Sequence, residues 1–95
     1  MLTNQMTPQN LNRINNLKAL SWACRRGMLE LDMILGAFLT EKYLTLTDAH
    51  KILFVDLLAL PDPLLYEWLL GVQVEVHDEF LPLVELIRCH ARSPI

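Results

Sequence analysis

The sequence predicts an all-α protein, a compact bundle of five short antiparallel helices. Apolar residues recur at helical spacing through most of the chain, and proline or glycine stands where helices would begin or end. The connections between these segments are short, which favours antiparallel packing of neighbours. Since 95 residues suffice for one modest core, we expect a single domain over 1–95, with flexible ends at 1–8 and 93–95.

The first two predicted helices meet at a glycine. An apolar stripe at helical spacing runs from Pro8 to Cys24 and predicts helix one, which Gly27 interrupts. A second stripe runs from Met28 to about Lys42 and predicts helix two. The two helices are therefore expected to form a hairpin around the stretch "WACRRGMLELD".

The next two helices have clear boundary signals. Thr47 is suited to cap helix three, which runs through Leu60 to the "LPDP" turn, where proline disfavours helical geometry. Asp62 is expected to cap helix four, with proline at its first position and Gly71 just past its end. Both helices are thus delimited from sequence alone.

The last helix is predicted over about 78–92, with a first turn distorted by Pro82 because proline lacks an N–H donor. The alternating segment "VQVEV" before it has the period of a strand. A lone strand would leave its backbone groups without partners, so we interpret this segment as an extended linker.

Composition and charge exclude several classes of protein. Eleven Asp and Glu outnumber eight Lys and Arg, giving a net charge of −3, whereas a nucleic-acid-binding protein needs a basic face. The 53% hydrophobic content excludes disorder, and the longest aliphatic run is broken by Asp56 and is too short to span a bilayer. The amino terminus resembles neither a secretion signal nor an organelle presequence, so we expect a cytoplasmic protein.

The sequence contains no recognisable catalytic or metal-binding motif. The three histidines are scattered, and neither cysteine has metal-ligand spacing with them. The arginines beside Cys24 would lower the pKa of its thiol, but no nearby residue can serve as its base. A buried structural thiol is therefore favoured over a thiol-dependent enzyme, which remains a minor alternative.

The stretch "WACRRGMLELD" has both a structural and a functional interpretation. Gly27 can supply the left-handed residue that ends helix one, Arg25 and Arg26 can complement the dipole of that helix, and Glu30 can complement the start of helix two. These roles account for the residues without any site, so local physics favours a simple helix corner. Trp22, on an apolar helix, would by default have a core or hairpin-packing role.

Helix two, however, carries two apolar faces. At about 100° per residue, one face holds Leu31, Ile34, Leu35 and Phe38, and the opposite face holds Leu29, Met33 and Ala37. Either this helix lies in the middle of the bundle, or its second face is left for another protein.

These residues resemble a known family, the succinate dehydrogenase flavinylation factors, which are small FAD assembly factors. The resemblance covers Trp22 to about Arg88 and rests on "WACRRGMLELD", with its Arg-Gly-x-x-Glu signature, and on "LTLTDAHKILFVDLLALPDPLLYEWL". The apolar Leu29 within the signature and the proline of helix five depart from the family pattern.

The resemblance implies a five-helix fold and a non-enzymatic role. It implies binding to the flavoprotein subunit of succinate dehydrogenase, and in many bacteria that of fumarate reductase, to promote covalent attachment of FAD. No cofactor would be stably bound, and the free factor would be a monomer. The partner-binding residues carried over are Arg26, Gly27 and Glu30, with Trp22, Arg25 and Asp32 beside them. A regulatory or antitoxin-like module that binds a different client is the alternative.

Overall fold

A computed structural model describes residues 8–71 and 75–92. In this part of the chain there are six α-helices and no strand, so the predicted all-α class is confirmed and the predicted count of five helices is wrong. Single 3-10 turns precede the fourth and sixth helices, at Tyr43–Thr45 and Asp78–Phe80. The helices are α1 Pro8–Asn15, α2 Leu17–Ala23, α3 Leu29–Glu41, α4 Asp48–Leu57, α5 Asp62–Leu70 and α6 Leu81–Arg92.

The extra helix arises because the first predicted helix is divided at Asn16. This residue leaves helical geometry, with φ −87° and ψ 77°, and its side-chain oxygen accepts the backbone N–H of Ala19 at 3.2 Å. Asparagine offers the backbone this alternative to a continuous helix and is a preferred N-cap. The apolar stripe continues across the break, so α1 and α2 share one periodic pattern.

Two predicted boundary residues, Thr47 and Gly71, are confirmed, and the predicted cap at Asp62 is wrong. Thr47 caps α4 by accepting the backbone N–H of His50 at 3.2 Å, and Gly71 follows α5 as expected. Asp62, predicted as a cap, is the first residue of α5, which follows Pro61 and has no side-chain cap. The carboxylate of Asp62 accepts a hydrogen bond from an arginine distant in sequence instead.

The remaining boundaries follow from proline and from the loop after α4. The predicted distortion by Pro82 is the 3-10 turn that precedes α6. The predicted third helix extends too far, because α4 ends at Leu57. The carbonyl of Leu60 accepts a hydrogen bond from the side chain of Arg26. Most of the predicted linker "VQVEV" lies outside the described residues, as do the predicted flexible ends except Pro8, which begins α1.

A single hydrophobic core contains residues of all the helices from α2 through α6. Helix α3 lies in the middle of this core and contacts α2, α5 and α6. The largest fully buried side chains of the core include Tyr43, whose hydroxyl donates to the carbonyl of Ile14 at 2.6 Å. Burial, with a smaller contribution from Asp48, raises the pKa of Tyr43 to about 12. Within residues 8–71 and 75–92, no helix is long and apolar enough to cross a bilayer.

Candidate interaction site at the corner between α2 and α3

The chain reverses between α2 and α3 at Gly27. Its φ of +85° lies in the left-handed region that side chains other than glycine rarely adopt, so the predicted backbone role is confirmed. A Cβ added at Gly27 would meet no described atom within 4 Å. The space in front of this backbone is therefore open to an incoming molecule.

Asp32, in the first turn of α3, fixes the backbone of the corner. Its carboxylate accepts the backbone N–H of Arg26 at 2.6 Å and that of Gly27 at 3.3 Å. Bonds to an ionised acceptor are stronger than those between neutral groups. Asp32 is thus a half-buried residue that holds the turn.

The side chain of Arg26 points into the protein. Its Nε donates to Asp62 at 2.8 Å, its Nη1 to the carbonyls of Ala23 at 2.9 Å and Leu58 at 2.8 Å, and its Nη2 to the carbonyl of Leu60 at 2.9 Å. Only 14% of the side chain is exposed. The bond to Ala23, the last residue of α2, is the predicted interaction with the end of that helix.

Around this fixed turn lies a set of exposed side chains of mixed character. Trp22 is 65% exposed, so it is not a core residue, and the guanidinium carbon of Arg25 lies 5.1 Å from the centroid of its ring. Glu30 is exposed and makes no hydrogen bond or ion pair with the described residues. With the open backbone of Gly27, these residues present a cation, an anion and a large aromatic ring on one surface.

The second apolar face of α3 is uncovered beside this turn. Leu29 is 75% exposed and Met33 is 63% exposed, whereas Leu31, Leu35 and Phe38 on the opposite face are buried. A depression of about 360 Å³ borders Met33 and is lined also by Ser21, Cys24, Arg25, Asp32 and Gly36. We call the exposed set the corner surface: Trp22, Arg25, Gly27, Leu29, Glu30 and Met33.

Cys24 is a buried core residue that also lines the depression beside Met33. It is 2% exposed, and burial raises the pKa of its thiol to about 11, with Arg26 opposing this shift and Asp32 adding to it. The prediction that this thiol is buried is therefore confirmed, and burial outweighs the opposing effect of Arg26 on its pKa. No group of three His, Cys, Asp or Glu residues in the described chain could hold a metal.

Sequence reasoning identified the members of the corner but missed Asp62, which lies 36 residues from its partner Arg26. An acidic residue next to proline at a helix start gives an ordinary capping signal. Nothing in the local sequence distinguishes a cap from a partner for a distant arginine.

Comparisons with known proteins identify related sequences. The family model described as flavinator of succinate dehydrogenase (Sdh5) matches residues 18–91, which include the whole corner. FAD assembly factor SdhE of Coxiella burnetii is 48% identical over 71 residues, covering 75% of this chain and 87% of that protein. FAD assembly factor SdhE of Shewanella oneidensis is 41% identical over 76 residues, covering 80% and 93%. The resemblance of the corner sequence is confirmed, and the chain belongs to the flavinator of succinate dehydrogenase family.

Proposed function

We propose that this protein is an FAD assembly factor that binds the flavoprotein subunit of succinate dehydrogenase and promotes covalent attachment of FAD to it. Membership of the flavinator family and the similarity to proteins named FAD assembly factors support this role. The observation that carries the proposal is the corner surface, where an open glycine backbone adjoins unpaired charge and uncovered apolar side chains. The free factor is proposed to be a monomer.

The corner surface has the composition of a protein-binding surface. Aromatic, methionine and arginine side chains are enriched at the centres of interfaces, and Trp22, Met33 and Arg25 supply one of each. Exposed apolar residues that lie together, rather than singly, mark interaction sites. Leu29 adds a further apolar side chain one helical turn from Met33.

Charge and backbone shape give the surface its selectivity. Arg25 and Glu30 carry opposite charges on either side of Gly27, so a client with complementary charges can bind in one orientation. The absence of a side chain at Gly27 lets the client approach the backbone closely. Arg26 and Asp32 support this surface from behind through their bonds to the turn.

The chain is proposed to assist flavin attachment without performing the chemistry. The thiol of Cys24 is buried, and burial raises its pKa to about 11, which disfavours the thiolate that a nucleophile needs. A binding protein can accelerate a reaction in its client by holding the reacting groups in alignment, which lowers the entropic part of the barrier. The bond to the flavin would then form between groups of the client and its own FAD.

Gene deletion followed by an assay of covalent flavin tests this function. In-gel fluorescence of the succinate dehydrogenase flavoprotein subunit is expected to fall in the deletion strain and to return when the wild-type gene is supplied. Undiminished fluorescence would contradict the proposal and favour a regulatory or antitoxin-like module with a different client. The same assay on fumarate reductase determines whether that enzyme is a second client.

A further inference from the structure

We infer that Arg26 is a positioning residue, which orients the corner surface through Asp62 and does not contact the client. The inference rests on the proposed function, because the client whose binding it concerns is the one proposed above. It also assigns a role to Asp62, which lies on α5 outside the Arg-Gly-x-x-Glu signature.

The first argument is that the guanidinium is already occupied. An arginine side chain has five N–H donors, and four hydrogen bonds to Asp62 and to the carbonyls of Ala23, Leu58 and Leu60 use Nε and both terminal nitrogens. With 14% of the side chain exposed, a client would have to break these bonds to pair with it. Breaking them would leave partly buried carbonyls without these donors, which is costly.

The second argument is that these bonds connect separate parts of the fold. Ala23 ends α2, Leu58 and Leu60 belong to the loop between α4 and α5, and Asp62 begins α5. The guanidinium therefore joins the end of α2 to the start of α5 through one rigid group.

The third argument is that the backbone of the same residue is fixed to α3. The N–H groups of Arg26 and Gly27 both donate to Asp32, on the first turn of α3. Side chain and backbone together thus set the orientation of α2 and α3 relative to α5. Trp22 near the end of α2 and Glu30 at the start of α3 take their relative positions from this arrangement.

Loss of the hydrogen bonds of the Arg26 guanidinium should weaken client binding without removing any contact residue. The apparent dissociation constant equals the intrinsic constant divided by the fraction of molecules in the competent conformation, so a fall of that fraction to about one tenth weakens binding about tenfold. Asp62→Asn keeps the shape of the acceptor but removes its charge. Arg26→Lys keeps the charge but has a single nitrogen, which cannot reach four partners.

The test combines client affinity with amide exchange in the folded protein. Titration calorimetry with the cognate flavoprotein subunit is expected to give about tenfold weaker binding for Asp62→Asn and for Arg26→Lys. The double variant should bind the client only slightly more weakly than either single variant, because both changes break the same pairing of Arg26 with Asp62. Exchange of the Arg26 and Gly27 amides should accelerate in each variant, while core amides of α3 keep their protection. Asp56→Asn, which removes the exposed ion pair with Arg13, is the matched control and should change neither quantity.

Distinct outcomes separate this inference from the proposed function. Wild-type affinity in Asp62→Asn together with a large loss in Arg26→Lys would show that Arg26 contacts the client, and would overturn the inference alone. Unchanged exchange of the two amides in Asp62→Asn would also overturn it. If Arg26→Lys fails to fold, Asp62→Asn decides by the same two measurements. A wild-type chain that does not bind the flavoprotein subunit would overturn the proposed function and the inference with it.

Discussion

The guanidinium of Arg25 lies over the exposed indole ring of Trp22, with 5.1 Å between the guanidinium carbon and the ring centroid. Such a pair restricts the motion of two long side chains before any partner arrives. Trp22 lies in the last turn of α2 and Arg25 lies in the corner that follows, so the pair presents both an aromatic face and a cation toward solvent. A client would bind a surface that is already organised.

Trp22→Ala is expected to weaken client binding by about tenfold or more, since central aromatic residues of interfaces typically contribute about 2 kcal/mol or more. The indole is 65% exposed, so the free energy of unfolding should change by about 0.5 kcal/mol or less. Calorimetry with the flavoprotein subunit and thermal melts measure the two effects. Leu44→Ala removes a side chain that is 68% exposed on the turn before α4, and it should leave client affinity unchanged. If Trp22→Ala and Leu44→Ala bind the client with equal affinity, Trp22 does not contribute to client binding.

The parts of the structure that depend on neighbouring residues could be predicted from the sequence. The cap by Thr47 and the left-handed Gly27 each follow from geometry that a few adjacent residues impose. The two apolar faces of α3 follow from helical periodicity, which placed Leu29 and Met33 on the second face and left open whether that face is covered; the structure shows both side chains exposed. Local rules therefore located most of the corner surface.

The parts that depend on distant residues could not be predicted. The break at Asn16 could not be predicted, because an asparagine within a helix costs only a few tenths of a kcal/mol. The position of α1 depends on contacts with α4, where Ile14 is buried and Arg13 forms an ion pair with Asp56. The inward orientation of Arg26 depends on acceptors 32 to 36 residues away. Periodicity carries no information on such contacts.

Gly27→Asn separates the backbone role of this glycine from its role as an open approach. Asparagine tolerates the left-handed conformation better than most residues, and a Cβ here would meet no described atom within 4 Å. The variant should fold with a melting temperature close to that of the wild type and should lose client binding and flavinylation. Gly27→Ala should lose both stability and binding, because alanine is strained at a φ of +85°. A Gly27→Asn variant that binds its client normally would exclude close approach at this position.

Cys24 should make the protein less stable as pH rises above 9. Its pKa is raised from 9.0 to about 11 in the folded state, mainly by burial. Between these values the unfolded chain has lost a proton that the folded chain retains, so the free energy of unfolding falls with increasing pH, on the order of 2 kcal/mol in total. Urea unfolding of Cys24→Ala between pH 8 and 10.5 should show a weaker pH dependence, while Cys89→Ala, at an exposed cysteine, should retain that of the wild type. An identical slope in all three proteins would contradict this assignment.

Glu30→Ala distinguishes a helix-dipole role from a contact role for the last residue of the signature. Glu30 lies in the first turn of α3, where a carboxylate contributes about 0.3 to 1 kcal/mol through the helix dipole, and it has no side-chain partner among the described residues. If it contacts the client, Glu30→Ala should melt near the wild-type temperature and fail to restore covalent flavin in the deletion strain. Glu85→Ala, at an exposed acid on α6, is the control and should restore flavin fully. Flavinylation by Glu30→Ala at the wild-type level would show that Glu30 does not contact the client and only stabilises the start of α3.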